Sequence, residues 1–316
     1  MKNALVIPVR LDSTRLPNKA LKDINGISLI QRVVNQCLKT NIPTYVVTDS
    51  EEIQNHLSDV TVLYHAKKAE SGTERIANAI DSIDADNVIN VQGDQPFISP
   101  EAILEMCDYM NTNPEHDIVT PVSKHKEEKY VDPSKCKVVL SLSGKAIYFS
   151  RSPIPYNASE SYGHLGIYGY KKSFLENYHK LKVSPLEKVE KLEQLRFIDN
   201  DVPIQTYMTE HSIFSVDTPA DLQYAIEHTG ELIYRNLTFL IRQCFSRVWM
   251  NLHKECVCTP YKGTGGKRFN ILSLSTSRVS TPSRELCRVR SIEAYLTILF
   301  HDRYRSEINH KVVISK

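Results

Sequence analysis

Residues 4–22 read Ala-Leu-Val-Ile-Pro-Val-Arg-Leu-Asp-Ser-Thr-Arg-Leu-Pro-Asn-Lys-Ala-Leu-Lys. The opening run, Ala4 to Ile7, has the length and the branched apolar content of a buried strand. Pro8 has no backbone N–H to donate to a sheet, so we expect the strand to end there. A helix is expected to begin near Ser28, a favourable N-cap residue, because apolar residues then recur at helical spacing through Cys37.

A cationic loop lies between this predicted strand and helix. Arg10, Arg15 and Lys19 bring positive charge, and Ser13 and Thr14 add hydroxyl groups. Arginine binds phosphate oxygens with a planar fork, lysine adds a point charge, and hydroxyls and loop amides satisfy the remaining acceptors. The loop therefore suits a polyphosphate. A solvated basic surface loop is the alternative, since the stretch has neither a Gly-x-Gly-x-x-Gly nor a Walker pattern.

Strand-like and helix-like segments alternate after this loop. Strands are predicted at 44–48, 60–64 and 88–91, and helices at 50–57, 73–83 and 100–109. Such alternation is typical of an α/β fold with a mostly parallel sheet and helices on both faces. Ligands bind beyond the carboxyl ends of the strands in these sheets, which is where residues 10–19, 71–75 and 92–96 fall.

Asp94 is the most informative acidic residue. It stands just after the predicted strand at 88–91, and Gly93 removes side-chain bulk beside it. A carboxylate there can hold magnesium, which commonly takes one or two carboxylates together with substrate phosphate oxygens. A turn aspartate that bonds its own backbone is the alternative. Because a cationic loop is predicted at a neighbouring strand end, we favour the metal ligand.

The charge of the chain divides unevenly along its length. Residues 1–228 have 24 Lys and Arg against 31 Asp and Glu, a net charge of −7, whereas residues 229–316 have 15 against 6, a net charge of +9. This break predicts an α/β domain over 1–228 and a basic C-terminal extension of unknown role, partly disordered, over 229–316. Binding of nucleic acid, an acidic partner or a membrane surface by the extension is the alternative.

The cysteines and the hydropathy favour a cytoplasmic protein. The 7 cysteines are odd in number and scattered, and no secretory leader precedes the first predicted strand, which predicts a reducing compartment. Cys256 and Cys258 lack the Cys-x-x-Cys spacing of a zinc site. No apolar run approaches the roughly 20 residues that a membrane-spanning helix needs, so no membrane span is expected.

Seven motifs in residues 1 to about 228 together resemble one family. They are Arg-Leu-Asp-Ser-Thr-Arg-Leu-Pro-Asn-Lys (10–19), Ser-Gly-Thr-Glu-Arg (71–75), Asn-Val-Gln-Gly-Asp-Gln-Pro (90–96), Tyr-Phe-Ser-Arg-Ser-Pro-Ile-Pro (148–155), His-Leu-Gly-Ile-Tyr-Gly-Tyr (164–170), Pro-Leu-Glu with Glu-Lys-Leu-Glu-Gln-Leu-Arg (185–187 and 190–196) and Val-Asp-Thr-Pro-Ala-Asp-Leu (216–222). In this order they resemble the 3-deoxy-manno-octulosonate cytidylyltransferases, the CMP-Kdo synthetases of lipopolysaccharide biosynthesis.

The resemblance implies a nucleotidyltransferase-like three-layer α/β sandwich with a mostly parallel, mixed central sheet. It also implies a magnesium-dependent enzyme of the cytoplasm, usually a homodimer, that transfers CMP from CTP to a 3-deoxy-octulosonate sugar acid. The anomeric hydroxyl of the sugar would attack the α-phosphorus of CTP, and pyrophosphate would leave. Such transfers depend on positioning and charge neutralisation.

The resemblance assigns roles to particular side chains. The triphosphate of CTP would be bound by Arg10, Ser13, Arg15 and Lys19, and cytosine would lie against that loop and the Ser71–Gly72 turn. The magnesium ligands would be Asp94 and Asp217. The sugar-acid pocket would be lined by Arg75, Gln92, His164, Tyr168, Glu193 and Gln194, with Arg75 as partner of the sugar carboxylate. The catalytic residues would be Arg10, Arg15, Lys19 and Asp94.

Several of these residues have structural alternatives. His164 and Tyr168 are four apart in strand-like sequence, so they would share a packed face of one strand. Glu193 and Gln194 would otherwise be solvated helix residues. Asp217 competes with Thr218 to cap the helix that follows.

The motif at 93–96 departs from the family, because Gln95 stands where many members have glutamate. This change makes the 8-amino-3,8-dideoxy sugar an alternative substrate. A sialic acid or methylerythritol cytidylyltransferase would be a sibling enzyme, and the motifs of His164, Glu193 and Gln194 argue against it. From a different class, the chain could be a non-catalytic nucleotide or nucleic-acid binder. Retention of both predicted metal ligands argues against that class.

Overall fold

The computed structural model describes residues 1–125, 131–158 and 160–230, so the predicted extension lies outside the described residues from 231 onward. The strands are β1 (Asn3–Pro8), β2 (Asp23–Ile24), β3 (Ile27–Ser28), β4 (Thr44–Thr48), β5 (Thr61–Tyr64), β6 (Asn87–Asn90), β7 (Ile118–His125), β8 (Lys137–Leu140), β9 (Ala146–Ser150), β10 (Ser161–His164), β11 (Tyr168–Lys171) and β12 (Gln205–Met208). The α-helices are α1 (Leu29–Leu38), α2 (Glu51–His56), α3 (Gly72–Asn78), α4 (Pro100–Thr112), α5 (Lys172–Glu176), α6 (Pro185–Glu190), α7 (Leu195–Asp199) and α8 (Pro219–Glu227).

β1 lies inside the sheet, as its apolar sequence predicts. It pairs in parallel with β4 on one side and with β6 on the other. Its residues from Ala4 to Ile7 are fully buried. Ala4 and Val6 pack in one cluster with Ile76 of α3, whereas Leu5 and Ile7 point to the opposite face, because successive side chains of a strand alternate. Both faces of the strand are therefore covered.

The main sheet is mixed. Its order is β5-β4-β1-β6-β11-β7-β10-β8-β9, with β12 paired to β7. The first four strands of this order are parallel. From β11 to β9 the neighbours are antiparallel, whereas β12 runs parallel to β7. The predicted α/β sandwich with a mixed central sheet is confirmed.

Serine caps fix the helix starts in the parallel half. Ser28 and Ser50 accept hydrogen bonds from the backbone N–H groups of Gln31 and Ile53, so α1 and α2 begin as predicted. The predicted helix at 73–83 is instead α3 followed by a separate 3-10 turn at Ile80–Ser82, because Ala79 leaves the helical conformation at φ −109° and ψ 6°. Buried isoleucines continue through the turn, which is why the spacing indicates one helix.

The parallel half directs its loops to one edge of the sheet. Residues 9–22 follow β1, residues 65–71 follow β5, and residues 91–99 follow β6. The cationic loop and Asp94 therefore meet at the edge where the ligand rule for such sheets predicts a site. In the described part of the chain, no helix is long and apolar enough to cross a membrane.

Candidate active site

A first pocket lies at the carboxyl edge of the parallel strands. Of the predicted site residues it is lined by Arg10, Ser13, Arg15, Lys19, Ser71, Gly72, Arg75, Gln92, Asp94 and Asp217. The cations of the loop after β1 therefore share one cavity with the Ser71 turn and with both predicted metal ligands. The three loop cations, Arg10, Arg15 and Lys19, are groups that can bind the oxygens of a polyphosphate.

Two glycines let the walls of this pocket approach each other. A Cβ on Gly93 would lie 3.2 Å from the carbonyl oxygen of Pro8 and 3.3 Å from the Cβ of Val9. A Cβ on Gly72 would lie 3.3 Å from the Cγ of Pro8. Any side chain at Gly93 would push the Asp94 loop away from the end of β1.

Lys19 is the charged centre of the first pocket. Its Nζ donates to Oδ2 of Asp94 at 2.8 Å and to Oδ1 of Asp217 at 3.1 Å. Arg15 Nη2 also reaches Oδ1 of Asp217, at 2.9 Å. Burial lowers the pKa of Lys19, but the charges and hydrogen bonds of the two carboxylates outweigh it, so the net effect is a raised pKa. Lys19 is therefore a fixed cation between the two acids.

The sequence offers Asp217 two roles, as a helix cap and as a magnesium ligand, and a capping box formed by Thr218 and Asp221 takes the first role. Thr218 Oγ1 accepts a hydrogen bond from the N–H of Asp221, and Asp221 Oδ2 accepts from the N–H groups of Asp217 and Thr218. Thr218 is thus the N-cap of α8. Because Thr218 and Asp221 cap the helix, the carboxylate of Asp217 faces Lys19 and Arg15 instead.

The carboxylates of Asp94 and Asp217 fit a hard divalent cation. Both present oxygens to the same Lys19 ammonium, which marks a point where positive charge is held between them. Within the described ranges, no group of three or more His, Cys, Asp or Glu side chains could hold a metal ion. Two protein carboxylates suit magnesium, which keeps waters and substrate phosphate oxygens as its other ligands.

A second pocket adjoins the first and shares part of its wall. The predicted residues Gln92, His164, Tyr168, Glu193 and Gln194 line it. Four residues line both pockets, namely Arg15, Gln92, Asp94 and Asp217. Molecules bound in the two pockets would therefore contact the same four side chains.

His164 and Tyr168 lie on two strands, and not on one strand as the structural alternative has it. His164 ends β10 and Tyr168 begins β11, with Gly166 between them at φ +75°. Both strands pair with β7, His164 opposite Val122 and Gly169 opposite Val119. His164 and Gly169 are five residues apart, whereas their partners on β7 are three residues apart. This irregularity turns the chain at the pocket wall, where the His164 and Tyr168 rings lie 5.1 Å apart.

His164 is held as a neutral imidazole. Thr120 Oγ1 donates to the carbonyl oxygen of Ile167 at 2.7 Å, so it accepts from Nε2 of His164 at 3.0 Å. Nε2 therefore carries the ring proton, and Nδ1 is the acceptor. Burial lowers the pKa of His164 to about 3.

We expect the free energy of unfolding of His164→Gln to depend less on pH, below neutral pH, than that of the wild-type protein. The folded pKa lies below the unfolded value of about 6.5, so the unfolded chain binds the extra proton between these values. Neutral His164 therefore contributes to the free energy of unfolding above about pH 6.5. This contribution is lost as the pH falls, by up to about 1.4 kcal/mol per pH unit. Urea unfolding between about pH 7 and pH 5 measures it, with exposed His179→Gln as the control. Equal slopes in wild type and His164→Gln would contradict a neutral His164.

Glu193 connects the two pockets. Its Oε1 accepts hydrogen bonds from the hydroxyl groups of Ser71 and Tyr178. Burial raises the pKa of Glu193, and the hydrogen bonds from Ser71 and Tyr178 lower it. The effect of burial is the larger, so the pKa is raised overall. Gln194 is only 5% exposed, and its Nε2 donates to Cys136 Sγ at 3.5 Å. Neither residue is the solvated helix residue of the alternative interpretation.

Arg75 lines the first pocket, whereas the lining of the second pocket does not include it. Its guanidinium pairs with Asp49 through Nη1 at 2.9 Å and Nη2 at 3.1 Å, and the residue is 4% exposed. Because Asp49 already neutralises this cation, Arg75 is a poor partner for the carboxylate of a sugar acid. Asp49 lies directly after β4, far from Arg75 in the sequence. The 71–75 motif therefore does not show that Arg75 has an acidic partner.

Two cations of the second pocket were not predicted from the sequence. Lys135 and Arg151 line this pocket beside Cys136. Arg151 belongs to the 148–155 motif, and its place in that motif was the signal that could have identified it. Nothing in the sequence around Lys135 distinguishes it from other basic residues.

Comparison with known proteins agrees with this geometry. The profile of the family described as Cytidylyltransferase matches residues 4–213. The 3-deoxy-manno-octulosonate cytidylyltransferase of Rickettsia prowazekii is 46% identical over 237 residues, covering 72% of this chain and 96% of the relative. That of Rickettsia typhi is 45% identical over 241 residues, covering 73% and 100%. A solved CMP:2-keto-3-deoxy-manno-octonic acid synthetase complexed with CTP is 33% identical, covers 73% of this chain and 99% of that chain, and superposes with a TM-score of 0.69.

The cationic pocket lies where α/β sheets of this kind bind their ligands, and together with the matching profile it defines the class of protein, a nucleotidyltransferase. The chain belongs to the cytidylyltransferase family, within which its relatives are the 3-deoxy-manno-octulosonate cytidylyltransferases. The family resemblance of the seven motifs is thereby confirmed.

Proposed function

We propose that the chain transfers CMP from CTP to 3-deoxy-D-manno-octulosonate (Kdo), releasing pyrophosphate and giving CMP-Kdo for lipopolysaccharide biosynthesis. The observation that carries this proposal is the wall shared by the two pockets, formed by Arg15, Gln92, Asp94 and Asp217. A nucleotide in one pocket and an acceptor in the other would meet at this wall. The names of the relatives and of the solved synthetase supply the two substrates.

The first pocket is the proposed CTP site. Arg10, Arg15 and Lys19 would neutralise the triphosphate, and Ser13 would donate a further hydrogen bond. Cytosine would lie against the Ser71–Gly72 turn. Phosphoryl transfer depends chiefly on positioning and on stabilising negative charge, which is what fixed cations in a pocket provide.

The second pocket is the proposed sugar-acid site. Gln92, His164, Tyr168, Glu193 and Gln194 would bind the hydroxyl groups, because they supply donors and acceptors around one cavity. Arg151 and Lys135 replace Arg75 as the proposed partners of the sugar carboxylate, since both line this pocket. The acceptor nitrogen of His164, Nδ1, suits a hydroxyl donor.

The proposed reaction joins the two substrates directly. The anomeric hydroxyl oxygen of the sugar attacks the α-phosphorus of CTP, the bond from that phosphorus to the bridging oxygen breaks, and pyrophosphate leaves with that oxygen. Asp94 and Asp217 would hold Mg²⁺, which when bound neutralises phosphate charge and lowers the pKa of the attacking hydroxyl. Lys19 and Arg15 would stabilise the charge that develops on the departing pyrophosphate.

Product analysis tests this function. The full chain incubated with CTP, magnesium chloride and Kdo should yield a CMP-sugar and pyrophosphate in equal amounts, separated by anion exchange. Sialic acid in place of Kdo is the control acceptor and should give no adduct. Nucleotide binding without any adduct would support the non-catalytic alternative, and an adduct with sialic acid alone would support a different cytidylyltransferase.

The 8-amino-3,8-dideoxy sugar is the second acceptor that we propose to test. Gln95 lines the second pocket, is 2% exposed, and donates from Nε2 to the carbonyl oxygen of Leu165 at 3.3 Å. A neutral amide thus stands in that wall where glutamate would add a charge. The amide alone favours neither sugar, so the relative rates decide between them.

We further propose that residues 1–228 form the catalytic domain of a cytoplasmic homodimer. The edge strand β9 and helix α6 expose Ile147 and Val189, which a second copy would cover. The described cysteines, Cys37, Cys107 and Cys136, have free thiols, which suits a reducing compartment. The basic residues of the extension would then have no part in turnover.

A chain ending at residue 230 should keep the turnover of the full-length protein and should still form a dimer, with the mass of two truncated chains. It retains the hydrogen bonds that Asn25 Nδ2 donates to Ile226 O at 2.9 Å and to Thr229 Oγ1 at 3.1 Å, which hold the end of α8. Initial rates and light scattering on both chains measure the effect. Loss of turnover or of dimerisation in a folded truncated chain would contradict the proposed domain division.

A further inference from the structure

Lys137 is a charged side chain buried inside the antiparallel half of the sheet. It stands in β8, next to Cys136 of the second pocket, and is 0% exposed. Its Nζ donates to three backbone carbonyl oxygens, at 2.8 Å to Asp132 O, at 2.8 Å to Lys135 O, and to Arg151 O. An ammonium group has three hydrogens, so this arrangement uses all of them on the backbone.

The three carbonyls belong to the two segments that carry the cations of the second pocket. Asp132 and Lys135 lie in the loop before β8, and Arg151 follows the last residue of β9. Lys135, Cys136 and Arg151 all line the second pocket. A single buried ammonium therefore ties the backbone of one pocket segment to the backbone of the other.

Glu190 holds the same strand end from the other side. Its Oε2 accepts from the N–H of Arg151 at 3.2 Å, and its Oε1 accepts from Ser150 Oγ at 2.6 Å. The peptide groups of Arg151 are thus fixed twice, the N–H by a carboxylate and the carbonyl by an ammonium. The guanidinium of Arg151 also donates from Nη1 to Ser134 O at 3.3 Å, which joins it to the loop that Lys137 holds.

We propose that Lys137 is a positioning residue for the anionic acceptor: it sets the distance between Lys135 and Arg151 and so the affinity of the second pocket for the sugar carboxylate. This inference rests on the proposed function of that pocket. Lys137 does not touch the substrate, because its hydrogens are all donated to the backbone. Charge-assisted hydrogen bonds in a buried site are strong and directional. A site that binds an anion through cationic side chains loses affinity when those side chains are misplaced.

Four variants of the full chain test the proposal. Lys137→Met keeps the length of the side chain and removes the three donors, and Glu190→Ala releases the opposite side of Arg151. Arg151→Met removes the cation itself. Lys172→Met is the matched control, because Lys172 Nζ also donates to a backbone carbonyl, that of Ile83 at 2.9 Å, and lies outside both pockets.

We expect Lys137→Met to raise KM for Kdo by about tenfold while KM for CTP stays within about twofold, the effect of losing one charge-assisted contact. Glu190→Ala should act in the same direction and Lys172→Met should change neither constant. In the Arg151→Met background Lys137→Met should add little, because the cation it positions is already gone. If Lys137→Met does not fold, the KM for Kdo of Glu190→Ala, alone and combined with Arg151→Met, tests the proposal in its place.

Equal changes in the KM values for CTP and Kdo, or full additivity with Arg151→Met, would overturn the proposal and leave Lys137 a residue of general stability. An unchanged KM for Kdo in a folded Lys137→Met protein would also overturn it. Failure of the proposed function itself is distinguishable, since the wild-type chain would then make no CMP-sugar at all.

Discussion

Asp94→Asn should lower kcat by about a hundredfold to a thousandfold and leave the fold intact. Asp94 and Asp217 are the carboxylates that would hold magnesium beside the reacting phosphate, and the amide of asparagine carries no charge. Loss of a group that stabilises transition-state charge costs about a hundredfold to a thousandfold. The backbone at this position is held independently, because Val216 N–H donates to the carbonyl oxygen of Asp94 at 2.9 Å.

Initial rates of pyrophosphate release at saturating CTP and Kdo measure this effect, with circular dichroism to verify the fold. Asp81→Asn is the control, since Asp81 is exposed on the 3-10 turn after α3 and outside both pockets. Wild-type magnesium-dependent turnover in Asp94→Asn would remove Asp94 from the catalytic machinery.

Lys19→Met should also reduce kcat, by about a hundredfold to a thousandfold. Lys19 Nζ lies 2.8 Å from Asp94 Oδ2 and 3.1 Å from Asp217 Oδ1. The methionine variant loses the cation that would stabilise the departing pyrophosphate. It also leaves the two carboxylates facing each other without the ammonium between them, so the affinity for the anionic triphosphate should fall as well.

Steady-state kinetics and CTP binding by calorimetry measure the two parts of the Lys19 effect. Lys22→Met is the matched control, because Lys22 belongs to the same segment and lines neither pocket. A Lys19→Met protein with normal kcat and weaker CTP binding only would assign Lys19 to binding and contradict a role in the transition state.

Local sequence predicted the parallel half of the fold well. The strand at 44–48 and the starts of α1 and α2 were predictable because β-branched runs and serine caps act within a few residues. The loop of Arg10 to Lys19 and Asp94 were predictable in position because parallel strands direct their carboxyl ends to one edge.

Other features depend on partners far along the chain. Arg75 is neutralised by Asp49, 26 residues earlier, so its own motif does not reveal that it is unavailable. The contact of Lys137 with Arg151 likewise joins a residue of β8 to the residue that follows β9. The spacing of His164 and Tyr168 predicts one strand, and the turn that separates them becomes visible only when both strands pair with β7. Long-range pairing of this kind leaves no periodic signal in a single sequence.

The most direct test of the central claim is the initial rate of pyrophosphate release by the full chain with CTP and magnesium, run in parallel with Kdo and with its 8-amino analogue. The proposed function predicts release that depends on the sugar acid, and the faster sugar identifies the acceptor. No release with either sugar, in a folded protein that binds CTP, would contradict the assignment of the two pockets to CTP and a 3-deoxy-octulosonate.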